Sequence, residues 1–519
     1  MVNSIVEAVA QHARQQPGRS AIFFEKQVIG YGQLYADVKR FAGALMMQGV
    51  RPGDRVALFL DNCPAFVVAY LGTQLAGGIV VLVNTQYRQV ELSHIMTDAG
   101  VKVCVTSEAG RTELFRLEAS ALELLVVVDD TGDMRAGELI KSITFADFVA
   151  QGGSRDAQAT FPSLTVPAPD DPALIGYTSG TTGRAKGALL CHRNLTSNIE
   201  ALTTAWRWTD NDHLLLTLPL FHAHGLMVGM HGALFLGAKV TLRRKFDAAD
   251  VLDTLRSDPS ITLFFGVPTM YARLLAEAER QGIPEHLPRL FVSGSAPLSP
   301  QLFTDFARVF GQPILERYGM TETIMNLTNP YEGERRAGTV GGPFPGQEAR
   351  VVDVQTRRPL PAGEIGEIEV RGPHVFVGYW NRPDATAEAF STDGWFKTGD
   401  LGWYSADGYF TITGRARELI ISGGYNVYPR EVEDILETHP AIAEAAVVGL
   451  PDDDLGEQVV AIVVPRAGHV PEIASIIAFC REHLASYKKP RQVVFVDTLP
   501  RNALGKVQKH VLVEQLRSV

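Results

Sequence analysis

Cysteine is scarce in this chain: four thiols (Cys63, Cys104, Cys191, Cys480) lie far apart among 519 residues, with no C-x-x-C pair. That excludes a disulfide-stapled scaffold and predicts reduced, partly buried thiols in a cytosolic protein. Long apolar runs are missing as well. The most apolar stretch, Leu71 to Val83, is broken by Gln74 and Gly77-Gly78 and is too short to span a bilayer. Any membrane association is therefore expected to be peripheral. A basic excess is absent too: the net charge of −10 offers no electrostatic reason to expect a nucleic-acid partner. Met1 to Gln16 lacks the basic start and apolar core of a signal peptide. No repeat or low-complexity tract stands out.

What is present is a βα rhythm in a chain too long for one core, so about two to four domains are expected. Short β-like runs (Val56 to Leu60, Ile79 to Val83, Val101 to Val105, Leu124 to Val128) alternate with helix-length segments. Leu214 to Leu220, Ile261 to Phe265 and Leu290 to Ser293 continue the pattern. Alternation of this kind predicts doubly wound parallel sheets covered by helices on both faces, with ligands at the C-terminal strand ends. Ser299-Pro300 reads as a helix start and Gly311 as its end. Gln158 to Asp171, with three prolines, reads as a surface connection. Residues 340 to 413 switch to short alternating runs, as in a small antiparallel or barrel-like unit. Beyond Arg417 the pattern resets to an α+β domain of about one hundred residues.

The richest stretch is Tyr177 to Gly187, Tyr-Thr-Ser-Gly-Thr-Thr-Gly-Arg-Ala-Lys-Gly, between the apolar run Ala173 to Ile175 and a helix expected near His192. Gly180 and Gly183 let backbone N–H groups approach a phosphate. Thr178, Ser179, Thr181 and Thr182 supply hydroxyls, and Arg184 and Lys186 supply positive charge. Lys186 stands three residues after Gly183 and precedes Gly187, which departs from the Walker arrangement and disfavours kinase-like folds. A bland linker rarely carries two cations between a strand and a helix.

Other constellations are weaker one by one. In Tyr318-Gly319-Met320-Thr321-Glu322 the ring suits a purine, Thr321 a phosphate and Glu322 a Mg²⁺ ion, although a surface turn explains the run equally well. Asp400 suits paired ribose hydroxyls, yet turns are its commoner place. Arg415 suits the α-phosphate, although most loop arginines are merely solvated. His222 and His224, two apart, lack the Cys or carboxylate companions of a zinc site. They face one pocket only if their loop turns. Asp452 to Asp454 reads as a solvated loop. Lys506, after Gly505, is an ordinary exposed lysine unless its context promotes it.

Taken in order, Tyr177 to Gly187, Phe221 to Gly225, Ser293 to Pro297, Tyr318 to Glu322, Thr398 to Asp400, Gly414 to Arg417, Gly423 to Pro429 and Asn502 to Lys506 resemble, over essentially the whole chain, the adenylate-forming superfamily of acyl-CoA synthetases, luciferases and peptide-synthetase adenylation domains. Within it, Asn329 to Arg335 and the length look most like malonyl-CoA synthetases and their fatty acyl-CoA synthetase relatives. The resemblance implies an N-terminal AMP-binding domain over residues 1–416, made of two doubly wound αβ subdomains and a small β-barrel, and a mobile α+β C-terminal domain over 417–519. It implies ATP, Mg²⁺ and coenzyme A, an acyl-adenylate formed from a carboxylic acid, and transfer of the acyl group to the CoA thiol. Lys506 would bridge the carboxylate and α-phosphate, and His222 would stand among the catalytic residues. Thr181 and Thr182 would hold phosphates, with Glu322 and Thr181 at the metal. Ser295, Ala296, Pro297 and Tyr318 to Thr321 would border the adenine, with Asp400 and Arg415 on the ribose. Arg417 would be the hinge, and Gly423-Gly424 would swing to the pantetheine tunnel. Arg417 departs from the Asp or Lys usual there.

The acid is set by the pocket. Malonate-specific relatives place an Arg a few turns after the His-x-His-Gly motif, whereas Met227 to Gly237 has none here. Met, Val, Leu and Phe suit an aliphatic tail, so a monocarboxylic fatty acid is expected first. Malonate or methylmalonate is the runner-up, with His231 or Arg184 as candidate partners for its second carboxylate. A stand-alone adenylation enzyme loading a carrier protein and a non-catalytic nucleotide-binding protein are the other classes. The protein is expected to be a monomer or homodimer.

Overall fold

The computed structural model describes residues 2–117, 121–129, 140–154, 166–178, 185–452, 454–469, 471–502 and 505–517. Two large sheets carry the N-terminal part. The first follows the strand order Gly342–Pro343, Leu327–Thr328, Leu315–Tyr318, Leu290–Ser293, Leu263–Gly266, His213–Leu216, Lys239–Leu242, Ser20–Phe24, Gln27–Gly30. Its central strands run parallel, from Leu315–Tyr318 across to Ser20–Phe24. Leu214, Leu216, Leu263, Phe265, Leu290 and Val292 are fully buried, as strands covered on both faces must be.

The second sheet runs Gly378–Tyr379, Lys186–Cys191, Pro172–Thr178, Ile79–Leu82, Arg55–Phe59, Val101–Thr106, Leu124–Val127, Lys141–Thr144. It is parallel from Pro172–Thr178 outward, and all four β-like runs read from residues 56 to 128 are strands in it. One expectation needs correcting. The hydroxyl-rich run does not lead from a strand straight into a helix: Pro172–Thr178 pairs antiparallel with Lys186–Cys191, and only then does the helix His192–Ala205 begin. Lys186 therefore starts a strand, opposite Thr178. Ser179, Gly180, Thr181, Thr182, Gly183 and Arg184 lie outside the described residues, as does most of the expected connection from Gln158.

A four-stranded antiparallel sheet (Glu348–Val352, Gly366–Arg371, Phe396–Tyr404, Phe410–Arg415) stands where the barrel-like unit was expected. After the short 3-10 turn Ala416–Glu418 comes a five-stranded sheet, with its own core of Ile420, Val432, Leu436, Val447, Ala461 and Ile476. Helices Pro429–Glu437 and Ile473–His483 cover it, the first opened by its proline and stopped before Pro440. Among the described residues no helix is long and apolar enough to cross a membrane, and all four cysteines are free and buried.

Candidate active site

Parallel strands deliver their loops to one end of the first sheet. Leu290–Ser293 ends at Gly294-Ser295, where Ser295 takes a left-handed φ of 69° and its Oγ lies 3.4 Å from His224 Nδ1. Ala296 is half-buried and Pro297 exposed. The strand Leu315–Tyr318 carries Glu316, Arg317 and Tyr318 within it. Alternation along the strand turns Tyr318 toward Asp400 and Arg317 toward Gly294. The Tyr318 hydroxyl donates to Asp400 Oδ2, while Arg415 Nε sits 2.7 Å from Oδ1. Asp400 and Arg415 are direct cross-strand partners of one antiparallel pair, so sheet register alone brings the carboxylate and guanidinium together. Gly319, Met320 and Thr321 follow as a half-buried turn, with Met320 Sδ 3.9 Å from the Tyr318 hydroxyl.

Glu322 is buried beside them. Tyr379 donates to its Oε1 at 3.0 Å and Thr178 Oγ1 lies 3.5 Å from the same oxygen. Burial pushes its carboxyl above the usual range. Lys186 Nζ is 5.2 Å from the Tyr379 ring, on the same edge. One carboxylate with a hydroxyl beside it fits Mg²⁺, which keeps several waters and takes its remaining oxygens from phosphate. Glu322 and Thr178 are the described residues placed to hold that ion. The expected companion Thr181 lies outside them.

Lys506 belongs to the small C-terminal sheet's domain, yet stands within electrostatic reach of Asp400, Arg415 and Glu418. Burial first, then Arg415, holds its ammonium below the ordinary lysine range. Its loop is clamped by Asn502, whose Oδ1 accepts from the Lys506 N–H at 3.0 Å. Gly505 has φ 78°, and a Cβ there would fall 2.9 Å from Thr269 Oγ1 in the large domain. Only glycine allows both the turn and that approach.

The histidines sit where the loop turns, as one pocket requires. His222 follows a turn onto Pro219, and His224 opens a π-helical segment, His224–Met230. Burial pulls His222 down to about 4 and His224 well below its ordinary value, with Arg317 adding to both shifts. Both imidazoles are neutral at pH 7. Two expected positions are not at this cluster. Arg417 is exposed on the 3-10 turn, and Gly423-Gly424 form an exposed hairpin tip (φ 60° and 81°) between Ile420–Ser422 and Tyr425–Val427. Two residues at the site carried no assigned role in the sequence reading. Tyr379 lies 57 positions from the glutamate it binds, and Arg317 precedes Tyr318 on its strand.

Fold and site together define a two-lobed nucleotide-cleft enzyme whose small lobe lends a lysine to the large one. Comparison with known proteins agrees. The family described as AMP-binding enzyme matches residues 9–380, and its C-terminal domain matches residues 431–506. The chain belongs to this adenylate-forming family. It is 33% identical to a malonate–CoA ligase of Arabidopsis thaliana, over 99% of this chain and 89% of the relative. It is 34% identical to a long-chain-fatty-acid–CoA ligase of Bacillus subtilis, over 97% and 93%. The crystal structure of ATP-bound MatB from Rhodopseudomonas palustris superposes with a TM-score of 0.89 at 39% identity, covering 100% of this chain and 99% of that one. The apo form of that protein gives 0.78.

Proposed function

We propose that this chain is an ATP-dependent acid–thiol ligase that activates an aliphatic carboxylic acid as its acyl-adenylate and passes the acyl group to coenzyme A. The observation that carries the reading is Lys506, brought from the small domain to Asp400 and Arg415 of the large one. A free carboxylate is a poor acyl donor, whereas its mixed anhydride with AMP has a good leaving group. The first step joins a carboxylate oxygen to the α-phosphorus and breaks the bond to pyrophosphate. Negative charge gathers there, and fixed cations stabilise it best in a site closed to water. Lys506 bridges the carboxylate and α-phosphate. Asp400 accepts from the ribose hydroxyls, with Arg415 holding that carboxylate in place. Tyr318 and the Ser295-Ala296-Pro297 turn border the adenine. Thr178, Lys186 and the 179–184 run take the outer phosphates. Glu322 would hold Mg²⁺, which would supply neutralisation of phosphate charge.

The second step needs other surroundings. In our reading residues 1–416 form one unit and 417–519 another, which turns about Arg417, withdraws Lys506 and brings Gly423-Gly424 to the thiol. The sulfur then attacks the acyl carbon and AMP leaves. Free buried thiols support a reducing, cytoplasmic setting. For the acid, a fatty monocarboxylate draws support from the apolar run Met227 to Leu236 and from the Bacillus relative. A short dicarboxylate draws it from the malonate ligases and from one buried cation, Arg317. CoA-dependent AMP release across malonate, butyrate, octanoate, palmitate and benzoate tests the ligase reading. At least one acid should release AMP only with CoA present; none doing so, with no ATP–pyrophosphate exchange, would end it.

A further inference from the structure

The hydroxyl-rich run Ser179 to Arg184 is bounded by Thr178 and Ala185, and the chain on either side of it is fastened to one helix, Gln89–Ala99. On the entering strand the Tyr177 hydroxyl donates to Asp98 Oδ2 at 2.6 Å. On the leaving side His94 Nε2 donates to the Ala185 carbonyl at 2.8 Å. His94 and Asp98 are four residues apart and so share one face of the helix, and the His94 ring meets the Tyr177 ring edge-on with centroids 6.1 Å apart. The helix itself is pinned. Arg55 donates to the Ala99 and Gly100 carbonyls at its C-terminal end, and the Asp98 carbonyl accepts from Trp380 Nε1 at 3.2 Å. The Trp380 backbone N–H in turn donates to the Gly187 carbonyl at 2.7 Å. A Cβ at Gly187 would fall 3.2 Å from the Tyr177 ring, so the frame has little slack there.

Alternation along Pro172–Thr178 sends Tyr177 to the helix and Thr178 to the opposite face, where its Oγ1 lies 3.5 Å from Glu322 Oε1. Lys186 stands directly across from Thr178, with its Nζ 5.2 Å from the Tyr379 ring. The two described groups assigned above to the outer phosphates therefore form the last cross-strand pair before the run, and a fastening lies one residue from each. A phenylalanine would fill the space of Tyr177 equally well. A hydroxyl brought out of water onto a carboxylate adds direction instead: a charge-assisted hydrogen bond fixes the ring, and with it the neighbouring backbone, more closely than packing does. Burial, then Asp98, hold that hydroxyl far above its ordinary pKa, so it remains a donor. We propose that Asp98 and His94 are positioning residues for the polyphosphate of ATP, setting Thr178 and Lys186 at the separation that the β- and γ-phosphates require. The proposal rests on the ligase reading above. Both residues act through others, and only at this end of the nucleotide; adenine, ribose and α-phosphate are met elsewhere, by Tyr318, Asp400, Arg415 and Lys506.

The test compares the affinities of the full chain and its variants for ATP and for AMP by calorimetry, with Mg²⁺ present. AMP lacks the two outer phosphates, so damage confined to their end of the cleft separates the two ligands. Tyr177→Phe, Asp98→Ala and His94→Ala should each weaken ATP by about 10-fold while AMP changes by less than about twofold. Asp98→Asn keeps an acceptor and His94→Gln a donor at the same places, and each should recover most of the loss. Tyr177→Phe combined with Asp98→Ala should lose no more ATP affinity than either alone, because both remove the same bond. Melting temperature without nucleotide checks that each variant is folded. Where Asp98→Ala does not fold, Tyr177→Phe, which removes a single oxygen, decides. Equal weakening of ATP and AMP, or unchanged ATP affinity in a folded Tyr177→Phe, would overturn the proposal and leave the ligase reading standing. If the wild type binds neither nucleotide, the ligase reading fails and takes this inference with it.

Discussion

At the scale of the residue, burial decides which side chains can do chemistry. Lys506 and Arg317 are both cations held below their ordinary pKa mainly by loss of water, yet they face different surroundings. Arg317, pushed down to about 9, remains charged at pH 7. Lys506 has Asp400 and Glu418 to keep its charge, and the proposed reaction uses that charge at the α-phosphate. Replacing Lys506 by Ala should slow acyl-AMP formation by about 100-fold or more while ATP binding changes little, since its charge matters most as charge develops at phosphorus. Single-turnover quench measurements of acyl-AMP check this, and full-speed adenylation by that variant would sink the assignment. Because the lysine acts as its cation, the rate should also be lost as the pH rises through its lowered pKa, earlier than for an ordinary lysine.

At the scale of the element, the turn and helix from His222 to His231 concentrate three imidazoles, His224 and His231 buried and His222 half-buried. Burial takes His231 down to about 3 and His222 to about 4, and among the described residues both ring nitrogens of His231 lack partners beside Tyr70. These folded values lie below the unfolded value of 6.5, so protons favour the unfolded chain. Stability is intact above that value and falls as the pH drops from 6.5 toward about 4 and about 3. The loss is about 1.4 kcal/mol per pH unit for each histidine still neutral in the fold. Melting temperature against pH should therefore fall steeply from 6 to 4, and His231→Asn should flatten that slope. An unchanged slope would mean that His231 titrates freely. The same segment shows how far pattern reading reaches. Its apolar residues invited a tail-binding wall, yet Met227, Val228, Met230 and Leu234 are fully buried in the main core.

At the scale of the whole molecule, the small domain is docked with its lysine inward and its glycine hairpin outward. Burial raises Glu316 of the large domain to about 8 against the opposing pull of Arg430 on the helix Pro429–Glu437, so charge also acts across the junction. One docked arrangement cannot serve both half-reactions. Proline at Arg417 fixes φ at the proposed hinge, so on that proposal Arg417→Pro should leave adenylation within about threefold and cut thioester formation by about 100-fold. Single-turnover assays of the two steps separate these effects, and equal losses in both would refute the hinge.

Local grammar was legible in the sequence because its interactions span few residues. Ser299 caps the helix at Leu302, Pro300 opens it, and Gly311 closes it with φ 71°, each as the pattern indicated. Strand and helix order, the antiparallel insert and the family likeness were readable for the same reason: periodicity and short motifs are properties of neighbours along the chain. The strands on either side of the hydroxyl-rich run, Pro172–Thr178 and Lys186–Cys191, pair antiparallel, and no local signal sets that pairing. Tertiary structure alone joined Tyr318 to Asp400 across 82 positions and Tyr379 to Glu322 across 57. It alone left Arg317 buried, with Nε and Nη2 unpartnered among the described residues. Whether a charge is paired depends on every chain segment packed around it, and that information exists only once the chain has folded.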